Sequence, residues 1–527
     1  MEANLVFHKE QKHERFTVFN VKNKECQQIF LDYTTKTDIF TKCFEHSDQG
    51  IIVNFANWKL KFKKALYACF RKVRVTDYKP NISKFDILMN EKKKLVKQKN
   101  VSSREEERID EIDDNISKEC SDLEFEKLVK VLGELETESG GTNSTNVWKE
   151  FRKAYPKKSR PVPTGVKNIQ GKVITNPEEK KTITLNHFKH RMRKRPTHKE
   201  VSDIVKVQDK TFLMRIEHAR KNKSEEFTMA ELEKVLKNLK NDKSKDFNGY
   251  INELFKEGVA GKDLKQSLLM MFNQMKNELV IPECLRTAHV TILHKKKCRL
   301  DLNNWRGIFV CSVLRTVLMK MIYERTYPKV EKNMTDSQIG ARKNKSVRNH
   351  LFILNSILSD VMSSVRKEPI DLSIMDFKEM FDSEELSICL NALHDSEVQD
   401  DMLSLIFEAN KTTFFSVKTP NGSTERAMVN NKILQGDVLA PLLSSNMVDK
   451  NIGLSAMISN NVYLYKKKVK IPPLAMQDDI IGISNCGYKF NKLNSFINTR
   501  ANIMGLQFGR EKCQKMHVGK REKNRHL

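Results

Sequence analysis

Two adjacent carboxylates, Asp478 and Asp479, interrupt an otherwise apolar run: Pro472-Pro473-Leu474-Ala475-Met476-Gln477-Asp478-Asp479-Ile480-Ile481-Gly482-Ile483. Neighbouring carboxylates repel, and burying either is costly unless a cation neutralises it. Ile471–Leu474 and Ile480–Ile483 read as hairpin arms across a short polar break. On this segment alone an exposed acidic β-turn is the better explanation of the pair, so other residues must decide. Much earlier stands Asp376, at the end of the alternating segment Ile370-Asp371-Leu372-Ser373-Ile374-Met375-Asp376-Phe377. A strand end beside a hairpin turn can bring Asp376 against Asp478. The acids would then form an oxygen cage for hard divalent cations. Such a cage holds two magnesium ions, one activating an attacking 3′-hydroxyl and one steadying a leaving pyrophosphate. Strict alternation puts Asp376 on the face of Ile370, Leu372 and Ile374, so the strand is expected to twist or end before it.

A third piece is Leu434-Gln435-Gly436-Asp437-Val438-Leu439-Ala440-Pro441-Leu442-Leu443. Glycine lets a backbone come close to a ligand, and the proline sits near a helix start. Taken alone it is an ordinary loop-to-helix junction.

These residues need a frame. Thr228-Met229-Ala230-Glu231 spells a capping box, followed by Leu232, Val235, Leu236 and Leu239 at helical spacing. Further helices carry Leu264, Leu268, Phe272 and Met275, then Val313–Tyr323, then Val347–Met362 with Leu351, Leu354, Leu358 and Val361 inward. Past Pro369 the pattern turns to strands, with a helix start at Asp382-Ser383-Glu384-Glu385. Thr412–Lys418 and Ser423–Val429 flank the turn Pro420-Asn421-Gly422. Upstream, Trp58, Phe62, Leu66, Cys69 and Phe70 share one helical face ringed by Lys59, Lys61, Lys63, Lys64 and Arg71. That segment reads as a solvated surface helix or an RNA-binding one. Asp86–Leu135 reads as a helical hairpin of a lysine-rich and a glutamate-rich half, and 139–145 as a linker. Tyr155–Pro163 reads as extended, and His190–Arg195 as a basic cluster.

The chain has 527 residues and a formal net charge of +27, with a pI near 9.5. A polyanionic partner is the leading expectation. No stretch reads as a membrane-spanning helix or a signal peptide. The ten cysteines have no C-x-x-C spacing, which argues against a zinc site. Reduced thiols fit the cytoplasm and/or the nucleus.

The order of the pieces carries more than any one of them. A strand with D-x-x-x-x-F-D, then Q-G-D-x-x-x-P-L, then the D-D hairpin, then Gly505-Leu506-Gln507-Phe508-Gly509-Arg510-Glu511-Lys512-Cys513 resembles the palm motifs of reverse transcriptases. Ile281–Arg286, Lys295-Lys296-Lys297, Asn303-Asn304-Trp305-Arg306-Gly307-Ile308 and Asp336–Lys343 resemble the fingers motifs of non-LTR, LINE-like retrotransposons. Lys243–Gly249 resembles a further loop of that family. The likeness covers about Phe227–Lys520.

The resemblance implies an α+β, right-hand polymerase fold with helical fingers and a mixed-sheet palm, preceded by a mostly helical basic extension. Its expected divisions are a poorly defined segment 1–50, a basic and acidic helical region 51–138, a linker and extension 139–225, fingers 226–345 and palm 346–527. It implies an RNA template, a DNA primer, dNTP substrates, two Mg2+ ions and no membrane. Asp376, Asp478 and Asp479 would be metal ligands, and Lys512 would protonate departing pyrophosphate. Phe381 would exclude a ribose 2′-hydroxyl. Gln435 and Gly436 would lie near nucleotide and template, and Arg306 and Lys296 near the triphosphate. The sequence departs from the family pattern in two places. Met476-Gln477 stands where an aromatic residue and alanine are usual, and Gly307 where proline is common. An endonuclease domain and most of a thumb are expected to be missing, as in a truncated or decayed copy. A catalytically inactive nucleic-acid-binding remnant is the alternative. An interaction protein built of helices would fit 51–135 but not the palm motifs.

Overall fold

Ile370–Asp376 forms the strand that its alternation predicts, inside a four-stranded sheet. The order is Leu474–Met476, Asp479–Asn485, Ile370–Asp376, Gln514–Val518, and every pairing is antiparallel. The hairpin is tighter than its sequence suggests. Met476 pairs with Asp479, so Gln477 and Asp478 are the whole turn. Ile471 belongs to a separate pair, Val469–Ile471 with Tyr463–Tyr465. Pro472 and Pro473 divide the two, because proline has no N–H to give a ladder.

The face of Asp376 has a simple explanation. Pairing continues through Asp376, opposite Asp479, so the strand does not end early and the alternation holds. What runs out is the cover. Ile370, Leu372 and Ile483 pack with Ile357 and Val361 of the helix Val347–Ser363. Ile374 is already 37% exposed, and Asp376 is half-buried. On the other face Met375, Phe377, Ala475 and Ile480 join the main core. The buried stripe of that helix runs through His350, Ile357 and Val361. Leu351 therefore falls on its border and is 52% exposed, not inward as expected.

This computed structural model describes residues 18–19, 24–45, 49–70, 72–73, 165–192, 199–295, 297–363, 369–419, 421–458, 461–466, 468–485 and 487–519. The chain divides into a unit of Met1–Val18 with Lys72–Pro161 and a unit of Phe19–Arg71 with Val162–Leu527. The helical hairpin, the 139–145 linker, Tyr155–Pro163, Arg193–Arg195 and Lys296 lie outside the described residues.

In the larger unit a second, five-stranded sheet has the order Ala427–Asn430, Thr412–Thr419, Thr287–His294, Trp305–Cys311, with Gly422–Ser423 on the side. Thr287–His294 and Thr412–Thr419 run parallel, and the other pairs are antiparallel. The mixed sheet is this one. The helix Pro177–Arg191, in the stretch read as linker and extension, covers it. Asn176 caps the helix by accepting from the N–H groups of Glu178 and Glu179, and Pro177 stands at its start. Phe188 and Met192 pack with Ala288, Val290, Phe309 and Phe415. A Cβ on Gly307 would come within 2.7 Å of the Phe188 ring. Glycine there is what lets helix and sheet meet.

The helix Ile51–Cys69 is an element of the core. Trp58, Phe62, Leu66, Cys69 and Phe70 are all buried, as their spacing predicts, while Lys63 and Lys64 stay exposed. Trp58 stacks on Phe62 with centroids 4.8 Å apart. Its indole N–H donates to Ser267 Oγ at 2.9 Å, on the helix Lys262–Glu278, where Leu264, Leu268, Phe272 and Met275 are buried. The Thr228–Glu231 capping box forms as read, at the head of Met229–Lys237.

Trp58→Ala should therefore cost about 3–5 kcal/mol in denaturant unfolding, from lost area and the cavity left behind. Leu60→Ala, at a position 56% exposed, should change little. Equal effects would show that the helix does not pack as described.

Candidate active site

The hairpin turn is held from outside. Gln477 sits at φ +59°, a left-handed conformation that costs a non-glycine residue about 1 kcal/mol. The buried Gln338 offsets this. Its Oε1 accepts from Gln477 N at 3.0 Å and from Gly340 N at 2.8 Å. Ala475 N donates to Ser337 O and Ile339 N to Ala475 O, so Ser337–Gly340 runs as a strap along the hairpin arm.

Register then fixes the acids. Asp479 is the cross-strand partner of Asp376, and Asp478 is the adjoining turn residue. The main-chain carbonyl of Asp478 accepts from Phe377 N at 3.4 Å. Phe377 bridges Phe508, their rings stacked at 4.5 Å. Gly509 N donates to Asp376 O at 2.9 Å. This docking delivers Lys512, whose ammonium forms an ion pair with the Asp376 carboxylate.

The electrostatics follow from crowding. Burial, then the Asp376 charge, pushes the Asp478 carboxyl up, while Lys512 and Arg306 pull it down. Burial, Asp478 and Asp376 push Asp479 up. Lys512 is raised, chiefly by its hydrogen bond to Asp376. Among the described residues no three His, Cys, Asp or Glu side chains stand together as a ready metal site. The donor chemistry nevertheless fits a hard cation. Three carboxylates load one corner with negative charge, and a cationic side chain has settled on one of them.

Behind the turn lies Glu384, fully buried. One of its oxygens accepts from Ser444 Oγ at 2.8 Å, and Oε1 has no hydrogen-bond partner. Its carboxyl is pushed up to about 8, above all by burial, with Asp478 and Asp382 adding and Ser444 and Lys432 opposing. Lys432, also buried, donates to the carbonyls of Ser383 and Glu384 and to Glu385, each at 3.2 Å.

A second group of residues lies on and beside the five-stranded sheet, and the charge of Arg306 reaches Asp478. Arg306 is exposed on Trp305–Cys311. Lys295 is held below its ordinary value by burial and by Arg191 and Arg306. Phe381, in the short helix Met380–Ser383, is half-buried against the main core. Gln435 is half-buried, and its carbonyl accepts from Phe309 N at 2.8 Å. Gly436 adopts φ +117°, and a Cβ there would lie 2.6 Å from Phe309 O. Asp437 closes the loop through a buried ion pair with Arg315 at 2.6 Å. The helix Ala440–Val448 starts where Pro441 implies.

Residues 293–526 match the family model of reverse transcriptase (RNA-dependent DNA polymerase). The matched region holds all three acids, Lys512, Arg306, Phe381, Gln435 and Gly436. This resemblance supports an RNA-directed DNA polymerase, a nucleotidyltransferase. A reverse transcriptase implies a nucleic-acid template and primer and nucleotide substrates. No curated protein matches the chain. No helix among the described residues is long and apolar enough to cross a membrane.

Sequence reasoning passed over Glu384, Lys432, Lys295 as a single residue, and the burial of Arg191. Glu384 stood in what read as a helix start, yet the next helix begins at Leu386. Two acids just before an apolar helix were the available sign.

The raised Glu384 carboxyl has a stability consequence. Its folded value lies above the ordinary 4.5, so its contribution is whole at low pH and is lost as pH rises through about 8. Glu384→Gln should remove that decline, gaining roughly 3 kcal/mol over the parent at pH 7 and little near pH 4. Urea unfolding at both pH values reads this. The same pH slope in both proteins would place the Glu384 charge elsewhere.

Proposed function

We propose that the chain is the RNA-directed DNA polymerase of a non-LTR retrotransposon, extending a DNA primer on an RNA template by two-metal nucleotidyl transfer. The observation that carries this reading is the register that sets Asp376 opposite Asp479 and beside Asp478, within the region similar to reverse transcriptases. A protein that only binds polyanions gains nothing from three acids gathered at one hairpin turn in a chain of charge +27.

Asp376 and Asp478, with Asp479, would hold two Mg2+ ions. Bound there, the ions supply activation of the primer 3′-hydroxyl and charge relief at the pyrophosphate. The primer oxygen forms a bond to the α-phosphorus as the bond to the bridging oxygen breaks. The hydroxyl loses its proton, and the leaving group gains one. Lys512, protonated and already beside Asp376, is placed to give that proton. The exposed guanidinium of Arg306 offers a planar fork to the triphosphate, and the charge of Lys296 would add to it. Phe381 would stand against the sugar and disfavour a 2′-hydroxyl. The Gln435–Gly436 backbone, drawn tight over Phe309, forms the floor under the base. Cytoplasm and nucleus both suit such a chain.

Primer extension on an RNA template with Mg2+ and dNTPs tests this. Extension should be salt-sensitive, abolished by chelation, and reduced to background by Asp376→Ala and by Asp478→Ala. Equal extension by Asp376→Ala would sink the proposal. Tight, salt-sensitive RNA binding with no extension by the parent chain would instead identify a remnant that keeps the fold without the chemistry.

A further inference from the structure

We infer that Arg191, outside the matched region, is a positioning residue that joins the two sides of the nucleotide pocket. The inference rests on the polymerase reading above. Arg191 is the last residue of the helix Pro177–Arg191 and is only 9% exposed. A buried guanidinium must find partners for its fork, since an unpaired buried charge is costly.

Its partners come from two places. Nη1 donates to the carbonyl of Trp305 at 2.9 Å, the residue before Arg306. Nη2 donates to Asp382 Oδ2 at 2.6 Å and lies 3.3 Å from Glu379 Oε1. Glu379 and Asp382 bracket Phe381, and Asp382 N donates to Glu379 O at 3.1 Å. One rigid, planar group therefore fixes the strand that carries the triphosphate arginine to the turn that carries the sugar-facing aromatic.

The turn needs such a hold. Glu379 adopts φ +53°, a left-handed state that persists only where surroundings over-determine it. The helix behind Arg191 is itself immobilised, because Phe188 and Met192 are buried in the five-stranded sheet's core. The Arg191 side chain thus links the rigid helix directly to the turn that carries Phe381. Loss of the fork should let Phe381 and Arg306 move apart, loosening the triphosphate and admitting a 2′-hydroxyl. Arg191 would touch neither nucleotide nor metal.

The full chain can be assayed for single-nucleotide extension with dTTP and with UTP, reading KM and kcat separately. Arg191→Met and Asp382→Asn should each raise KM for dTTP and lower the preference for dTTP over UTP by about tenfold or more. In both variants kcat for dTTP should change less. The double variant should show no further loss, because both act through one contact. Arg191→Lys, which keeps charge and reach without the fork, should recover part of the preference and serve if Arg191→Met does not fold. Thermal unfolding of each variant separates misfolding from loss of selection. Folded variants with the parent's preference and KM, or single effects that simply add, would overturn the role of Arg191 and leave the polymerase reading standing. A parent chain that extends with neither nucleotide, or equally with both, overturns the inference together with the reading it rests on.

Discussion

Like charges placed directly across an antiparallel ladder are unfavourable, and this fold does that with Asp376 and Asp479. Much of the surrounding structure serves to tolerate it. The apolar rows on either side of the central strand fix its register, since a slip of one residue would turn every side chain to the wrong face. Gln338 pins the turn that places Asp478, and the Phe377–Phe508 stack brings Lys512 to the most crowded corner. The repulsion is confined to a point where the apolar cover has just ended. Charge that cannot be relieved by burial is left where a soluble cation can reach it.

Buried charge elsewhere is handled differently. Arg315 with Asp437 and Lys276 with Asp401 are closed pairs, each buried on both sides. Such pairs add little net stability but are expensive to break, so they specify which loops meet which helices. Glu384 is different, a buried acid with one oxygen unmatched. It keeps its proton at neutral pH and so adds no further negative charge behind Asp478.

What could be read from the sequence was whatever depends on neighbours a few residues away. The alternation of Ile370–Asp376, the Thr228–Glu231 box and the aromatic face of Trp58, Phe62 and Phe70 all follow from local periodicity, and all are present. What could not be read depends on partners far along the chain. Arg191 read as one member of a basic cluster because Asp382, which helps to bury it, is 191 residues away. The partner of Trp58 is 209 residues away. Ile471 looked like a hairpin arm because apolar spacing cannot show which of two neighbouring ladders claims a residue, and Leu351 because spacing cannot show where a helix's cover stops. The place of Asp376 was legible, but not the reason for its exposure, which belongs to the helix above the sheet.

The parallel pairing in the five-stranded sheet carries a practical consequence. Thr287–His294 lies between Trp305–Cys311 and Thr412–Thr419 and pairs with both. The region similar to reverse transcriptases opens at residue 293, inside that strand. An expression fragment trimmed to that boundary would lack the strand joining the other two. It would bare two long ladders whose inward residues, Phe309, Phe415 and Val417, are fully packed in the intact chain. Open, apolar sheet edges of this kind pair with one another between molecules. Such a fragment should aggregate however sound its catalytic residues, and a workable boundary must keep the core helix Ile51–Cys69 as well as the whole sheet.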